Sequence, residues 1–461
     1  MSLTSTARHR RGWPTAAAAT ALLVATASAC SNPNSSSSSS SGGAQTITVA
    51  VTANPLMTTI ENLTAGGFEA SHPNIKVKFV TYDENTERAD VEKDVAAHGG
   101  QYDVVMIGPN DITSWANNGW IDGLDTEVGQ DASYDVNDLL PSIKAALSSK
   151  GQLYALPFYG ESSFMMYNKK IFAADGLTMP ANPTWQQIAD LAAKADNTSK
   201  NVAGICLRGL TGWGDNLASL DTVINTMGGS WFDKNWNAKL TSPATEAAVN
   251  FYVNLVKQYG EPGAGNDSFN QCLNIFEQGQ AAMWYDATVG ASTVDASGSP
   301  IAGDVGFAPA PVDLTKSSGW LWTWALALES SSKHQSAAEQ FMNWATSKAY
   351  IAYDASKNGW AAVPPGTRTS TYQNADYQKA APFAALTLQE IDSVNIDQPG
   401  VAPQPVPGVQ YVGIPEFENF GQQVSAQITA AIDGQESVSA ALGTSQTIAQ
   451  QAVDNAGYKT G

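Results

Sequence analysis

Leu156-Pro157-Phe158-Tyr159-Gly160-Glu161-Ser162-Ser163-Phe164-Met165-Met166-Tyr167-Asn168-Lys169 is the stretch on which the reading of this 461-residue chain turns. Pro157 cannot donate to a strand ladder and pushes Leu156 into an extended form, which predicts a crossing point and not the interior of an element. Phe164 to Tyr167 is a short, continuous apolar run, the pattern of a strand buried on both faces. Tyr159, Glu161 and Ser162 just before it place an aromatic face, a carboxylate and a hydroxyl on a bend. Taken alone, the stretch reads equally well as an ordinary hairpin on a buried strand, and the flanking sequence has to decide.

Upstream, Ile47-Thr48-Val49-Ala50-Val51 alternates as a strand does. Asn54-Pro55 breaks it, and Met57, Ile60, Leu63 and Phe68 mark the apolar stripe of a helix that stops at His72-Pro73. Residues 75–80 read as a second strand, 84–98 as a second helix, and Val104-Val105-Met106-Ile107 as a third strand running into Gly108-Pro109-Asn110-Asp111. Strand, helix, strand, helix, strand predicts an α/β fold built on a parallel, doubly wound sheet. Ligands of such sheets bind beyond the C-terminal strand ends, which puts Asn54 and Asn110-Asp111 on one edge.

Downstream, Thr184 is a plausible N-cap for a helix running to about Ala195, and residues 204–209 read as a strand that delivers Arg208 to a glycine-rich loop containing Trp213. Helices are expected from Asn216 to about Met227 and from Pro243. A helix end at Phe276-Glu277-Gln278-Gly279 leads into a strand carrying Asp286, and residues 303–311 read as a return to the first half. Residues 318–324 form a strand of alternating tryptophans, 337–348 an amphipathic helix, and 418–452 are mostly helix.

The N-terminus reads as a processing signal. Arg8, Arg10 and Arg11 precede an apolar stretch over 16–29 that is too short to span a membrane, and Ala27-Ser28-Ala29-Cys30 resembles the bacterial lipoprotein cleavage site, with Cys30 as the lipidated residue. Arg10-Arg11 leaves twin-arginine export open beside the general route. Residues 30–45, nearly all Ser, Asn and Gly, form a flexible tether. The formal charge of −19 becomes more negative by three when those arginines leave with the signal, and such an acidic chain repels nucleic acid and anionic lipid headgroups. With Cys30 assigned, Cys206 and Cys272 remain as a disulfide pair in an oxidising compartment, two buried thiols being the alternative. There is no CxxC or HExxH, so neither a metal nor a cofactor is expected.

Three landmarks in order, Tyr167-Asn168-Lys169-Lys170-Ile171-Phe172, Pro183-Thr184-Trp185-Gln186-Gln187-Ile188 and Phe276-Glu277-Gln278-Gly279-Gln280-Ala281-Ala282-Met283, make residues 46–458 resemble the solute-binding proteins of ATP-driven importers, the family of maltose-binding protein. Cys206-Leu207-Arg208-Gly209 with Gly212-Trp213-Gly214, and Met283-Trp284-Tyr285-Asp286-Ala287-Thr288, look most like the branch that binds sugar alcohols such as sorbitol and mannitol. The resemblance implies a two-lobed periplasmic-binding-protein fold, each lobe a doubly wound, mostly parallel sheet. Residues 1–29 would be the signal peptide, 46–156 with 309–361 the first lobe, and 157–308 with 362–461 the second. The lobes would hinge near Pro157, Gly306 and Ala361. It implies an extracytoplasmic substrate-binding component, monomeric, held by its lipid to the outer face of the bacterial cytoplasmic membrane. The ligand would be a neutral sugar alcohol such as sorbitol, mannitol or xylitol, passed to permease subunits. A mono- or disaccharide is the alternative ligand. No GxxxxGK[ST] loop is present, so the ATPase would be another subunit.

A hydroxyl-rich ligand needs flat apolar walls and paired donors and acceptors. Tyr159, Trp213, Trp322 and Trp360 are the wall candidates, although Trp320, Trp322 and Trp324 share one strand face and alternation does not choose among them. Glu161 and Asp286 are the acceptors, Arg208 the donor fork, and Asn54 and Asp111 the contribution of the first lobe. The rival reading is a secreted glycoside hydrolase using Glu161 and Asp286 as its acid pair. Gly160-Glu161-Ser162-Ser163-Phe164 fails the nucleophile elbow at its last position, and none of the four histidines sits in a catalytic motif.

Overall fold

Alternating and continuous apolar runs become strands where the sequence places them. The computed structural model describes residues 43–124 and 131–459; the signal over 1–29, the lipidation of Cys30 and nearly all of the tether lie outside the described residues. β1 (Gln45–Thr52), β2 (Ile75–Tyr82) and β3 (Val104–Ile107) are followed by a small hairpin of β4 (Ser148–Ser149) and β5 (Gln152–Leu153). Then come β6 (Ala155–Glu161), β7 (Ser163–Asn168), β8 (Met283–Ala287), β9 (Val305–Ala308) and β10 (Trp322–Leu328). The larger sheet has the order β2-β1-β3-β10-β6. β1 runs parallel to β2 and β3, as the strand–helix–strand alternation requires, and β10 runs antiparallel to β3 and β6. All four residues of β3 are buried because helices cover both faces of the sheet.

The second sheet, β8-β7-β9, departs from the mostly parallel expectation: β7 pairs antiparallel with both neighbours. β7 enters directly from β6 without a crossover helix, so β8 and β9 meet it head to tail. The expected strand over 204–209 is an irregular extended segment that adds parallel bridges, Ala203 to Ala281 and Cys206 to Trp284. The Ile205 amide turns away to the carbonyl of Tyr259 at 3.2 Å, which interrupts a regular ladder. Cys206 and Cys272 form a disulfide with Cα atoms 5.6 Å apart.

Pro157 is not the crossing. It lies inside β6, on the edge strand of the first sheet and at a register shift, where Pro157 faces Ala325 and Tyr159 faces Trp324. An edge strand with a bulge is where a residue lacking its N–H costs least. The chain changes sheet at Ser162, between β6 and β7. Gly306 is likewise interior to β9, and the return to the first sheet runs over 309–321. These two passages touch: a side chain on Gly319 would run into the Ser162 hydroxyl, and the Trp320 amide donates to Ser163 Oγ at 3.2 Å. Among the described residues, no helix is long and apolar enough to cross a membrane.

Candidate functional site

The C-terminal ends of β1 and β2 set the first wall. Asn54 caps the helix Pro55–Thr64, its Oδ1 accepting from the Met57 amide at 3.0 Å, while its Nδ2 donates to the Tyr159 hydroxyl at 3.1 Å. One loop step along the same edge, Asp83 caps the helix Glu84–Ala96 and sends Glu84 and Asn85 toward the second lobe. These residues, with Thr52, Tyr159, Glu161 and Trp324, line one side of a cavity of about 220 Å³; Arg208, Asp215, Phe269, Asn270 and Val289 line the other.

Arg208 is fixed before any ligand arrives. Its Nε donates to both oxygens of Asp286, at 3.2 and 3.0 Å, its Nη2 to Oδ1 at 2.5 Å, and its Nη1 to the carbonyl of Gly214 at 2.8 Å. Asp286 is fully buried on β8 and also accepts from the Trp284 indole at 3.1 Å and the Ala287 amide at 2.7 Å. Its oxygens are spent on this network, so Asp286 positions the fork and does not line the cavity. Burial opposes the charge of Arg208, and Asp286 overrides it, leaving the guanidinium firmly protonated.

Glu161, 5% exposed at the end of β6, has its carboxyl pushed up to about 8. Burial is the largest cause; Arg208 opposes it, while Asp286 and Glu84 add to it. Asp215 is pushed up to about 7, again mainly by burial and then by Glu84. A carboxyl whose pKa rises on folding makes folding take up a proton. The stability it contributes is therefore fully present below its ordinary pKa near 4.5 and is lost as pH rises toward 8. The ligand-free melting temperature is expected to fall between pH 5 and pH 8, and Glu161→Gln to flatten that slope. An unaltered slope in the variant would remove Glu161 as its source.

The two lobes meet around the cavity. Asn85 donates to Asp215 Oδ2 at 2.9 Å and to the carbonyl of Thr211 at 3.1 Å, Asn270 to the carbonyl of Ala53 at 2.7 Å, and Asn110 to Glu418 Oε1. Asn54, Tyr159, Glu161 and Arg208 thus come together as expected. Besides Asp286, four expected ligand residues do not reach the cavity wall. Asp111 caps its own helix, accepting from the Gly108 amide at 3.1 Å. Trp213 and Trp322 pack edge to face with ring centroids 5.9 Å apart, and the Trp322 ring fills the space beside Gly108. Trp360 sits in the turn Trp360–Ala362, against the helices Lys348–Asn358, Ala375–Ala380 and Gly290–Val294, and is not part of the cavity lining. The tryptophan that does reach the cavity is Trp324. Glu84, Asn85, Asp215, Phe269 and Asn270 were missed. The strand-end rule that selected Asn54 after β1 applies equally to residues 83–85 after β2, whereas nothing local marked Asn270.

The model of the family described as bacterial extracellular solute-binding protein matches residues 40–352. A mannitol-binding protein of Pseudomonas aeruginosa is 43% identical over 417 residues, spanning 90% of this chain and 94% of that protein. The crystal structure of a transporter solute-binding protein from Agrobacterium vitis, with bound D-mannitol, is 47% identical and superposes with a TM-score of 0.89, covering 90% of this chain and 100% of that one. A ribitol complex from Agrobacterium radiobacter, 24% identical with a TM-score of 0.79 over 89% of this chain and 99% of that one, shares the fold.

Proposed function

We propose, on the premise that the chain belongs to the bacterial extracellular solute-binding protein family, that it captures D-mannitol or a closely similar sugar alcohol and delivers it to the permease subunits of an ABC importer. The observation that carries the ligand class is the cavity's inventory. A donor fork, Arg208, is already neutralised by Asp286, and it faces the acceptors Glu161, Glu84 and Asp215 between the Trp324 and Phe269 rings. Each hydroxyl of a polyol both donates and accepts, so a neutral ligand can satisfy both kinds of wall. An anion would find no uncompensated cation, the carboxylates Asp83 and Glu84, and the Glu161 and Asp215 carboxyls, whose raised pKa values leave them less charged. The volume of about 220 Å³ lies below the range of roughly 300–1,000 Å³ common for drug-sized ligands, which favours a six-carbon chain over a disaccharide.

Ligand touching Tyr159 and Glu161 on one side and Arg208 and Asn270 on the other selects the closed arrangement. Ser162 and residues 309–321 act as the hinge; the crossing expected near Ala361 is displaced, since the Gly160 amide donates to the carbonyl of Pro365 at 3.0 Å and keeps that segment with the first lobe. Cys30 holds the protein, a monomer, to the outer face of the cytoplasmic membrane by its lipid. Catalysis forms no part of this reading: Asp286 is committed to Arg208, so the pair Glu161 and Asp286 has no free second carboxylate for glycoside hydrolysis.

A melting screen of D-mannitol, sorbitol, xylitol, glucose and maltose, followed by calorimetry, tests the assignment. D-mannitol at a hundred times its Kd should stabilise the fold by about 2.7 kcal/mol. A shift with maltose and none with any sugar alcohol would hand the site to the disaccharide, and turnover of labelled glycosides would overthrow the binding role.

A further inference from the structure

Arg88, on the helix Glu84–Ala96, lies just behind the cavity wall, and its side chain is only 10% exposed. Its guanidinium carbon stands 4.2 Å from the Trp213 ring centroid of the second lobe, and 4.7 and 5.1 Å from those of Trp324 and Trp322 of the first. Through Nη2 at 2.9 Å and Nε at 3.3 Å it also donates to Glu84 Oε1, a cavity carboxylate. Trp213 is held for this contact. The Gly212 amide donates to Ser425 Oγ at 2.7 Å and the Trp213 amide to Gln422 Oε1 at 3.3 Å, both on the helix Phe417–Ile432.

We propose that Arg88 is the positioning residue of closure: stacked between the tryptophans of the two lobes, it sets how tightly the ligand is held without touching it. Three facts converge on that role. The stacking on Trp213 exists only when the lobes are together, and a guanidinium desolvated against rings gains more than one in water. Closure also gathers Glu84, Glu87 and Asp111 of the first lobe against Asp215 and Glu418 of the second, and Arg88 is the first lobe's cation among them, with Arg208 of the second lobe beside Asp215. Finally, Arg88 fixes the orientation of Glu84 and Trp324, two residues that do face the ligand. Ligand affinity scales with the fraction of protein able to close, so a group that favours closure strengthens binding from outside the site.

The test uses the whole purified chain, D-mannitol calorimetry, and donor and acceptor dyes on one exposed side chain of each lobe. Arg88→Met and, from the other lobe, Trp213→Leu are each expected to weaken D-mannitol binding about tenfold through faster release, and to shift the ligand-free dye distances toward the open form. The double variant should bind no more weakly than the worse single one, because both remove the same contact. Arg88→Lys, which keeps the charge and loses the fork, should recover part of the loss. Unchanged affinity and dye distances in both single variants, or losses that simply add, would overturn the proposal. Should the unaltered protein fail to bind D-mannitol, the ligand assignment falls, and the ligand-free dye distances still decide for or against Arg88.

Discussion

Asp286→Ala is expected to abolish tight D-mannitol binding and to lower the stability of the fold at the same time. The carboxylate is fully buried and holds Arg208 through three hydrogen bonds. Removing it strands a guanidinium that cannot lose its proton, a cost of about 3–5 kcal/mol for a broken buried pair. The fork also loses its orientation, so affinity should fall by at least about 2 kcal/mol, roughly thirtyfold. A second variant separates the two effects. With Arg208→Leu added to Asp286→Leu no charge is left unpaired, and much of the stability should return while binding stays lost. Urea unfolding followed by tryptophan fluorescence, with calorimetry on the same samples, reads both quantities. Recovery of binding in the double variant would show that the pair serves the fold alone.

How far the residues could be read without coordinates depended on whether their constraint was local. The strand alternation at Ile47 to Val51, the cap at Thr184 and the buried run at Phe164 each follow from neighbours in sequence, and each stands where expected. Asn54 was legible because topology alone puts strand ends at the ligand edge. Pro157 misled because its tolerance comes from a non-local fact, that β6 is an edge strand with a bulge against β10. Trp322 and Trp324 are two residues apart, and their faces could not be separated by alternation. What divides them is Gly108 and Trp213, which make room for one ring and leave the other to the cavity. Asp111 looked like a ligand residue because capping and ligand binding both use a carboxylate at a strand's end. Its carboxylate caps its own helix through the Gly108 amide, and it stands away from the cavity lining that Asn54, also a cap, does reach.

Removing the disulfide should be the largest single change in stability that leaves the ligand-facing atoms in place. Cys206 and Cys272 are 66 residues apart, and closing a loop of that length stabilises by about 4 kcal/mol in the chain-entropy model. The loop encloses the helices Asn216–Thr226 and Pro243–Tyr259, so the constraint acts on most of the second lobe's helical layer. Both cysteines are fully buried, which makes Cys206→Ala with Cys272→Ala the cleaner pair of changes, since serine would bury hydroxyls. Binding should suffer as well, though less. The bond ties the segment that ends in Arg208 to the helix Phe269–Glu277, whose first turn brings Phe269 and Asn270 to the cavity. Without it those two halves of the wall are joined by packing alone, and the ligand must bear the entropy of aligning them. Chemical unfolding of the oxidised protein and of the double-alanine variant measures the first effect, and D-mannitol calorimetry the second. Equal unfolding free energies would mean that the unfolded chain is already compact without the bond and gains little freedom from its loss. A variant as stable as the oxidised protein but weaker in binding would assign the bond to the site and not to the fold.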